Sequence, residues 1–163
     1  MKIVFISGVC GSGKSSICEH IKENKLLDDY NVFDIDDLEN INDYNEDNYN
    51  DFYKNSIDKA IAKSKDKDII IFSCINHNDI FDLNLNVITR SILITCSSDE
   101  LTKRLKNRDK KRNCSDNVFI SDQIKYQDWF ISNSMYYDYV FDNTNIDVDI
   151  ISKDICNYVK NEF

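Results

Sequence analysis

All three glycines of this chain fall within six residues, at positions 8, 11 and 13 of the stretch GVCGSGKS. This stretch, Gly8 to Ser15, fits G-x-x-x-x-G-K-[ST], the pattern of a loop that wraps around phosphate groups. Glycine lets backbone amides approach an anion closely. A hydrophobic segment precedes the loop and an amphipathic segment follows it, which is the context that the pattern requires. The stretch therefore predicts a phosphate-binding loop whose ligand is a nucleoside triphosphate.

Each part of the predicted loop has a physical role. The backbone amides of residues 10 to 15 are expected to form an anion nest, and a helix beginning near Gly13 would point its positive end at the same place. Lys14 supplies a positive charge for the β- and γ-phosphates, and the Ser15 hydroxyl is a candidate Mg²⁺ ligand, with Ser16 a poorer one. The residues predicted to contact the nucleotide here are Gly8, Cys10, Gly11, Ser12, Gly13, Lys14, Ser15 and Ser16. The alternative, a glycine-rich turn without a ligand, is disfavoured by the flanking segments.

Carboxylates follow the second apolar segment, in VFDIDDL at residues 32–38. In a doubly wound sheet, the ends of the strands gather around the ligand crevice. Asp34 and Asp36 alternate, so we expect them to face the same way at the end of a strand. Asp34 is predicted to hold Mg²⁺ through water, and Asp36 to orient and deprotonate an acceptor hydroxyl, with Asp37 as its substitute. The alternative is that these aspartates only cap the following helix.

Arginines recur every four residues at positions 104, 108 and 112, within a run that carries seven of the 20 basic residues. This spacing places them near one stripe of a helix, where they repel one another unless an anion joins them. A transferring phosphoryl group is such an anion. The alternative is a solvated helix face on which the arginines pair with Glu100 and Asp109.

The third apolar segment, IIIFSCI, contains no acidic residue. GTPases and most motor ATPases carry a Mg²⁺-binding aspartate at the end of such a strand. Its absence disfavours both classes, although Asp34 or Asp36 could substitute for it. The chain also has no guanine-recognition signature.

The elements that must position these residues alternate along the chain. Continuous apolar segments, typical of strands buried on both faces, lie at 2–7, 31–35, 68–75, 90–96 and 138–141. Helical spacing appears at 14–25, 51–65, 98–111, 119–131 and 147–160. We therefore predict a three-layer α/β/α sandwich with a five-stranded parallel sheet. The polar stretch 40–51 is expected to be a mobile connection, and 76–86 an irregular one with a short helical turn.

Length and composition limit the number of domains and the classes of function that the chain can have. With 163 residues, the chain is expected to form one domain, and its net charge of −9 argues against a broad nucleic-acid-binding surface. No apolar run is long enough for a membrane span or a signal peptide, so we expect a cytoplasmic protein. The six cysteines show no metal-binding spacing and are expected to be reduced thiols. We expect a monomer or a homodimer.

Several stretches together resemble the small P-loop kinases of the shikimate, gluconate and adenylate kinase group. These stretches, in chain order, are GVCGSGKSS, FDIDDL, SCIN, LTKRLKNR and FDNTN. The resemblance covers essentially the whole chain and implies ATP and Mg²⁺ as cofactors. It matches Asp34 and Asp36 to the D-x-D pair of that group and Arg104 to the arginine that packs on adenine. It also implies that Arg108 and Arg112 close over the phosphates in a lid-like segment at about 104–118.

By the same resemblance, Asn143 and Thr144 of FDNTN are expected to line the adenine pocket. The chain departs from the group in ways that leave the acceptor open. It lacks the Gly-Gly pair and the basic substrate segment of shikimate kinases, and NHND replaces the basic residues of gluconate kinases. An acceptor is expected within the substrate-binding excursion at about 38–66 and near 75–87, with Tyr53, Asn76 and His77 as possible contacts.

The expected function is transfer of a phosphoryl group from ATP to a small molecule such as a nucleoside, a nucleotide or a sugar acid. The first alternative is a kinase that acts on a polynucleotide hydroxyl group, against which the acidic charge weighs. The second is a nucleotide-dependent regulatory ATPase with no small-molecule acceptor. The arginine run favours an enzyme over a switch.

Overall fold

The structure is a computed structural model that describes residues 1–39, 49–112 and 117–162, with the side chains of 109–112 and 117 left out of the description. Five strands were predicted and five are found. They are β1 (Lys2–Ser7), β2 (Tyr30–Asp34), β3 (Asp68–Ser73), β4 (Ile88–Thr95) and β5 (Tyr139–Asp142). All pair in parallel, in the order β2-β3-β1-β4-β5.

Helices alternate with these strands. They are α1 (Lys14–Glu23), α2 (Tyr49–Ser64), α3 (His77–Asp82), α4 (Ser98–Arg112), α5 (Asn117–Ser132) and α6 (Val148–Glu162). The short helical turn expected in 76–86 is α3. Residues 49–51, which were predicted to belong to a mobile connection, instead form the first turn of α2. The rest of that connection, residues 40–48, lies outside the described residues.

The sheet is buried on both faces, which explains why its central strands are continuously apolar. One face of the sheet packs against α1 and α6, where Ile6 of β1 lies in a core cluster with Ile17 and Ile155. The opposite face packs against α2, where Phe5 shares a cluster with Ile57. The predicted three-layer sandwich with a five-stranded parallel sheet is confirmed.

The helices α4 and α5 cover the opposite face beside β4. Leu93 of β4 lies in a cluster with Leu101 and Leu105 of α4 and with Phe130 of α5, all fully buried. Because every strand runs in the same direction, all five carboxyl ends lie at one edge of the sheet. The segments that leave these ends are therefore brought together there. No helix in the described part of the chain has the length and apolar character needed to cross a bilayer.

Candidate active site

The loop between β1 and α1 is held close to the end of β4, and two of its glycines have no room for a side chain. A Cβ at Gly8 would lie 2.5 Å from the Ile94 carbonyl oxygen. Gly13 has φ 103°, and a Cβ there would collide with the side-chain amide of Asn143. Close packing against neighbouring strands, together with a left-handed backbone, therefore requires glycine at both positions.

Lys14 is the first residue of α1 and is largely buried. Its Nζ donates hydrogen bonds to the carbonyl oxygens of Gly8 and Val9, at 2.7 and 2.8 Å. An ammonium group has three donors; these carbonyl oxygens take two of them, and Lys14 also contacts the Cys74 thiol. The adjacent Ser15 and Ser16 are exposed and line the same cavity as Lys14.

The cavity has a volume of about 960 Å³ and lies at the carboxyl edge of the sheet. Of the residues that the sequence predicted for the site, the cavity wall includes Cys10, Gly11, Gly13, Lys14, Ser15, Ser16, Asp34, Asp36, Arg104, Arg108 and Asn143. Residues 8 and 12 belong to the loop but are not part of this wall. The structure thus brings together the loop, the carboxylates after β2 and the first part of the arginine run.

The carboxylates reach the cavity by a route that differs from the prediction. Strand β2 ends at Asp34, and residues 35–37 form a 3-10 turn, so Asp34 and Asp36 are not alternate residues of one strand. Asp34 caps this turn by accepting a hydrogen bond from the Asp36 amide at 3.4 Å. Asp37, the predicted substitute for Asp36, forms an ion pair with Lys22 at 2.7 Å. Asp34 and Asp36 still line one cavity.

The electrostatic environment of Asp36 differs from that of Asp37. Partial burial and the neighbouring Asp34 carboxylate raise the pKa of Asp36, against the opposing charges of Lys14 and Arg108. The hydrogen bond from Lys22 lowers the pKa of Asp37. Asp36 is therefore the more basic of these two carboxylates, and it lies within the field of two cations.

Arg104 connects three elements at one side of the cavity. Its Nε donates to Glu100 at 2.8 Å, so the pairing with Glu100 that the spacing allowed is found. Nη1 donates to the Ser12 carbonyl oxygen at 3.1 Å, and Nη2 donates to that of Asn143 at 2.8 Å. Asn143, buried at the end of β5, donates its side-chain amide to the same Ser12 oxygen at 2.8 Å. This network fixes the start of α1 to α4 and β5.

The other arginines and Thr144, which were also predicted for the site, differ in whether they line the cavity. Arg108 lines the cavity, whereas the side chain of Arg112 lies outside the described residues, as do residues 113–116 of the lid-like segment predicted at about 104–118. Thr144 is not part of the cavity wall. Its hydroxyl accepts a hydrogen bond from the Ser97 amide at 2.7 Å and donates one to Asp142 at 2.6 Å.

Of the three residues predicted as possible acceptor contacts, only one lies in the cavity wall. Tyr53 lines the cavity. His77 lies elsewhere, stacked on Tyr136 with ring centroids 4.6 Å apart, and Asn76 caps α3 through the Asp79 amide. Neither belongs to the cavity wall.

Several wall residues were not named from the sequence, although the two in α2 fall within the excursion predicted at about 38–66. They are Tyr49 and Phe52 of α2, Cys74 after β3, and Gln123 and Tyr126 of α5. The Gln123 side-chain oxygen accepts a hydrogen bond from the Cys10 amide at 3.0 Å, and Tyr126 donates its hydroxyl hydrogen to the Cys74 carbonyl oxygen at 3.2 Å. The sequence offered one signal for Gln123: it is a polar residue on the inward-facing stripe of the amphipathic helix α5.

Two of these wall residues are thiols that influence each other. A hydrogen bond from the Cys74 thiol, together with the charges of Lys14 and Arg108, lowers the pKa of the Cys10 thiol against the effect of burial. The same hydrogen bond and burial raise the pKa of Cys74. Cys10 is thus the acidic member of the pair, and it belongs to the predicted phosphate-binding loop.

Comparison with known proteins places this site in context. Residues 4–125 match the model of a family described as an AAA domain. None of the curated proteins matches the chain. Among solved structures, shikimate kinase from Bacteroides thetaiotaomicron superposes with a TM-score of 0.65 at 12% identity, covering 97% of this chain and 98% of that one.

Two further structures are similar over comparable lengths. A gluconokinase from Sinorhizobium meliloti 1021 has a TM-score of 0.67 at 14% identity, covering 99% of this chain and 93% of that one. The tunicamycin resistance protein of Deinococcus radiodurans has a TM-score of 0.66 at 13% identity, covering 97% and 95%. At such identities the likeness concerns the fold. The chain belongs to the AAA domain family, and its fold is that of the small P-loop kinases of the shikimate and gluconate kinase group.

Proposed function

We propose that this chain is a kinase that transfers the γ-phosphoryl group of ATP to a hydroxyl or phosphate group of a small molecule, such as a nucleoside, a nucleotide or a sugar acid. The observation that carries the proposal is the shared cavity wall. The glycine-rich loop, Asp36 and Arg108 all line one cavity of about 960 Å³. Phosphoryl transfer needs little covalent chemistry from a protein and depends on positioning and charge, which this wall provides.

The nucleotide phosphates would lie in the loop at the start of α1. Backbone amides of the loop and the positive end of the helix favour anions there. Lys14 is held at the loop by the Gly8 and Val9 carbonyl oxygens, and its remaining donor would reach a phosphate oxygen. The guanidinium of Arg104 uses its edges for Glu100, Ser12 and Asn143, which leaves its flat faces for an adenine ring.

The residues present fit a magnesium ion that is bound together with the phosphates. The Ser15 hydroxyl and the Asp34 carboxylate line the cavity, and both are hard oxygen donors. No group of three or more His, Cys, Asp or Glu side chains with metal-site geometry occurs among the described residues. That is the expected case for Mg²⁺, which takes few ligands from protein and the rest from phosphate and water. When bound, the ion would neutralise charge that develops on the phosphates.

The transfer step would be assisted by Asp36 and the arginines. Asp36 would orient the acceptor hydroxyl and take its proton, a role that the raised pKa of this carboxyl favours. Arg108, in the same wall, would stabilise the charge on the transferring group, and we extend this role to Arg112.

The proposal is tested by measuring ADP release with Mg²⁺ and ATP over a panel of nucleosides, nucleotides and sugar acids. We expect acceptor-stimulated turnover in the wild type. Lys14→Ala should reduce this turnover by about 100-fold or more, since it removes a charge that acts on the transferring group. Lys153→Ala, at an exposed position of α6 that is not part of the cavity wall, is the matched control and should behave as wild type.

Two results would count against the proposal. ATP consumption that no acceptor stimulates would favour the regulatory ATPase instead. Transfer of labelled phosphate to an oligonucleotide, in the absence of transfer to small molecules, would favour the polynucleotide kinase.

A further inference from the structure

The cavity has a second part, formed by residues that lie outside the glycine-rich loop in the sequence. We call it the acceptor wall and define it as Tyr49, Phe52, Tyr53, Ser73, Cys74 and Tyr126. Four of these six residues are aromatic. They come from α2, from the end of β3 and from α5, so the acceptor wall is assembled by three separate elements.

The aromatic rings of the acceptor wall are held in place by neighbouring groups. The Tyr49 and Tyr53 ring centroids lie 4.8 Å apart, and the Tyr49 hydroxyl donates to the Asp79 carboxylate. Tyr126 is fixed by its hydrogen bond to the Cys74 carbonyl oxygen and packs on Phe130 with centroids 4.6 Å apart. A rigid surface of ring faces and edges favours a flat, weakly polar ring of a ligand.

Positive charge is scarce on this side of the cavity. The acceptor wall contains no Lys or Arg. The described cations elsewhere in the cavity wall already have partners: Lys14 contacts the Gly8 and Val9 carbonyl oxygens and the Cys74 thiol, Arg104 pairs with Glu100, and Arg108 lies in the field of the Asp36 carboxylate. The sequence has no Lys or Arg from Asp37 to Tyr53 or from Ile75 to Thr89. A carboxylate or a phosphate buried without a cationic partner is strongly disfavoured.

We propose that the phosphoryl acceptor is an uncharged hydroxyl compound with a flat ring, a nucleoside in preference to a nucleotide or a sugar acid. This inference rests on the proposed kinase function and narrows it. The flat ring would pack on the aromatic residues of the acceptor wall, while the hydroxyl group would point toward Asp36 and the phosphate-binding loop.

The test compares acceptors in pairs in which one member is neutral and the other carries an anionic group. Each nucleoside is compared with its 5′-monophosphate, and an aldose is compared with the corresponding aldonic acid, at fixed ATP and Mg²⁺. We expect at least one nucleoside to be phosphorylated with kcat/KM about tenfold or more above that of its monophosphate, and the aldonic acid to be no better than the aldose.

Faster transfer to the nucleotide or to the sugar acid would overturn this inference and leave the kinase proposal standing. Absence of transfer to every acceptor would overturn both.

Variants of Tyr126 test whether the aromatic wall binds the acceptor. Tyr126→Leu should raise KM for the nucleoside about tenfold and leave KM for ATP within about twofold, because it removes the ring that packs on the acceptor, together with the hydrogen bond to Cys74. Tyr126→Phe keeps the ring and should leave KM for the nucleoside near that of wild type. Tyr158→Leu, in an aromatic cluster beside β5, controls for the loss of a tyrosine elsewhere. Equal KM values for the Leu and Phe variants of Tyr126 would contradict the proposal.

Discussion

The side-chain oxygen of Gln123 lies 3.0 Å from the backbone nitrogen of Cys10, from which it accepts a hydrogen bond across 113 residues of sequence. Gln123 belongs to α5, and Cys10 lies in the middle of the glycine-rich loop. One amide of the expected anion nest is therefore held by a neutral side-chain oxygen that belongs to another layer of the fold.

This contact predicts a charge-sensitive position. Gln123→Glu would place a carboxylate at the loop, where two like charges at about 4 Å repel by about 1–4 kcal/mol. We expect ATP affinity to fall about tenfold or more in a calorimetric titration at pH 8. Gln123→Met, which has a similar size and no charge, is the control. If the Glu and Met variants bound ATP equally well, the Gln123 position would lie outside the field of the phosphates.

Asp36→Asn is predicted to lower transfer activity without lowering the stability of the fold. Loss of the base should slow transfer to the acceptor by about 100-fold or more while leaving ATP affinity intact. Because the pKa of Asp36 is raised in the folded state, the folded protein binds more protons than the unfolded chain near that pKa. The free energy of unfolding therefore falls as pH rises through this range. The Asn variant should lack this fall, so urea unfolding at neutral pH should show equal or greater stability.

Asp37→Asn is the matched control, and its stability should change in the opposite direction. The pKa of Asp37 is lowered by Lys22, so this carboxylate stabilises the fold above its unfolded-state pKa, and the effect is lost as pH falls. Both partners are well exposed, so the loss at neutral pH should be about 0.2–1 kcal/mol. Transfer activity should be retained. Near-normal transfer by Asp36→Asn, or loss of transfer in Asp37→Asn, would show that Asp36 is not the base.

The network around the Ser12 carbonyl oxygen predicts coupled effects. Arg104→Ala and Asn143→Ala each remove a donor to this oxygen, and each should lower the free energy of unfolding by about 1–3 kcal/mol. Because they share one acceptor and also contact each other, the two losses should not add in the double variant. Denaturant unfolding of the single and double variants measures this coupling. Arg90→Ala, near the start of β4 and outside this network, controls for the loss of an arginine. Strictly additive losses of unfolding free energy in the double variant would contradict the network.

Cys10 is predicted to be the most reactive of the described cysteines. Its lowered pKa leaves a thiolate at neutral pH, whereas burial raises the pKa of Cys18 to about 12 and that of Cys156 to about 11. Iodoacetamide at pH 7, followed by peptide mass spectrometry, should label Cys10 before these two. The rate should fall as pH is lowered through the pKa of Cys10. Cys74→Ala should slow labelling at pH 7 because it removes the hydrogen bond to the thiolate, and an unchanged rate would contradict this account.

The parts of the fold that could be predicted are those fixed by short-range pattern. Continuous apolar segments identified all five strands to within a few residues, and the glycine-rich stretch identified the loop and the start of α1 at Lys14. The parts that were missed depend on long-range packing. Gln123 and Cys74 reach the cavity only because α5 packs against the loop and β3 ends beside it, which no local spacing encodes.

For Asp34 and Asp36, the predicted position at one cavity is found, but the predicted strand geometry is not. Alternation predicted that Asp34 and Asp36 share a strand face, but the strand ends at Asp34, whose carboxylate caps a 3-10 turn. Both side chains nevertheless reach the cavity, because the turn itself lies at the carboxyl edge of the sheet. Thr144 differs from them: its hydroxyl bonds to the Ser97 amide after β4 and to Asp142 of β5, and Thr144 is not part of the cavity wall.

The order of the strands has a consequence for how the chain is made. The strand at the centre of the sheet, β1, is the first one to be synthesised, and its two neighbours are β3 and β4. A nascent chain therefore exposes the apolar residues of β1 until residues 68–95 have left the ribosome. Native pairing of β1 must wait for these distant segments, so the centre of the sheet is completed late in synthesis although its first strand is made early.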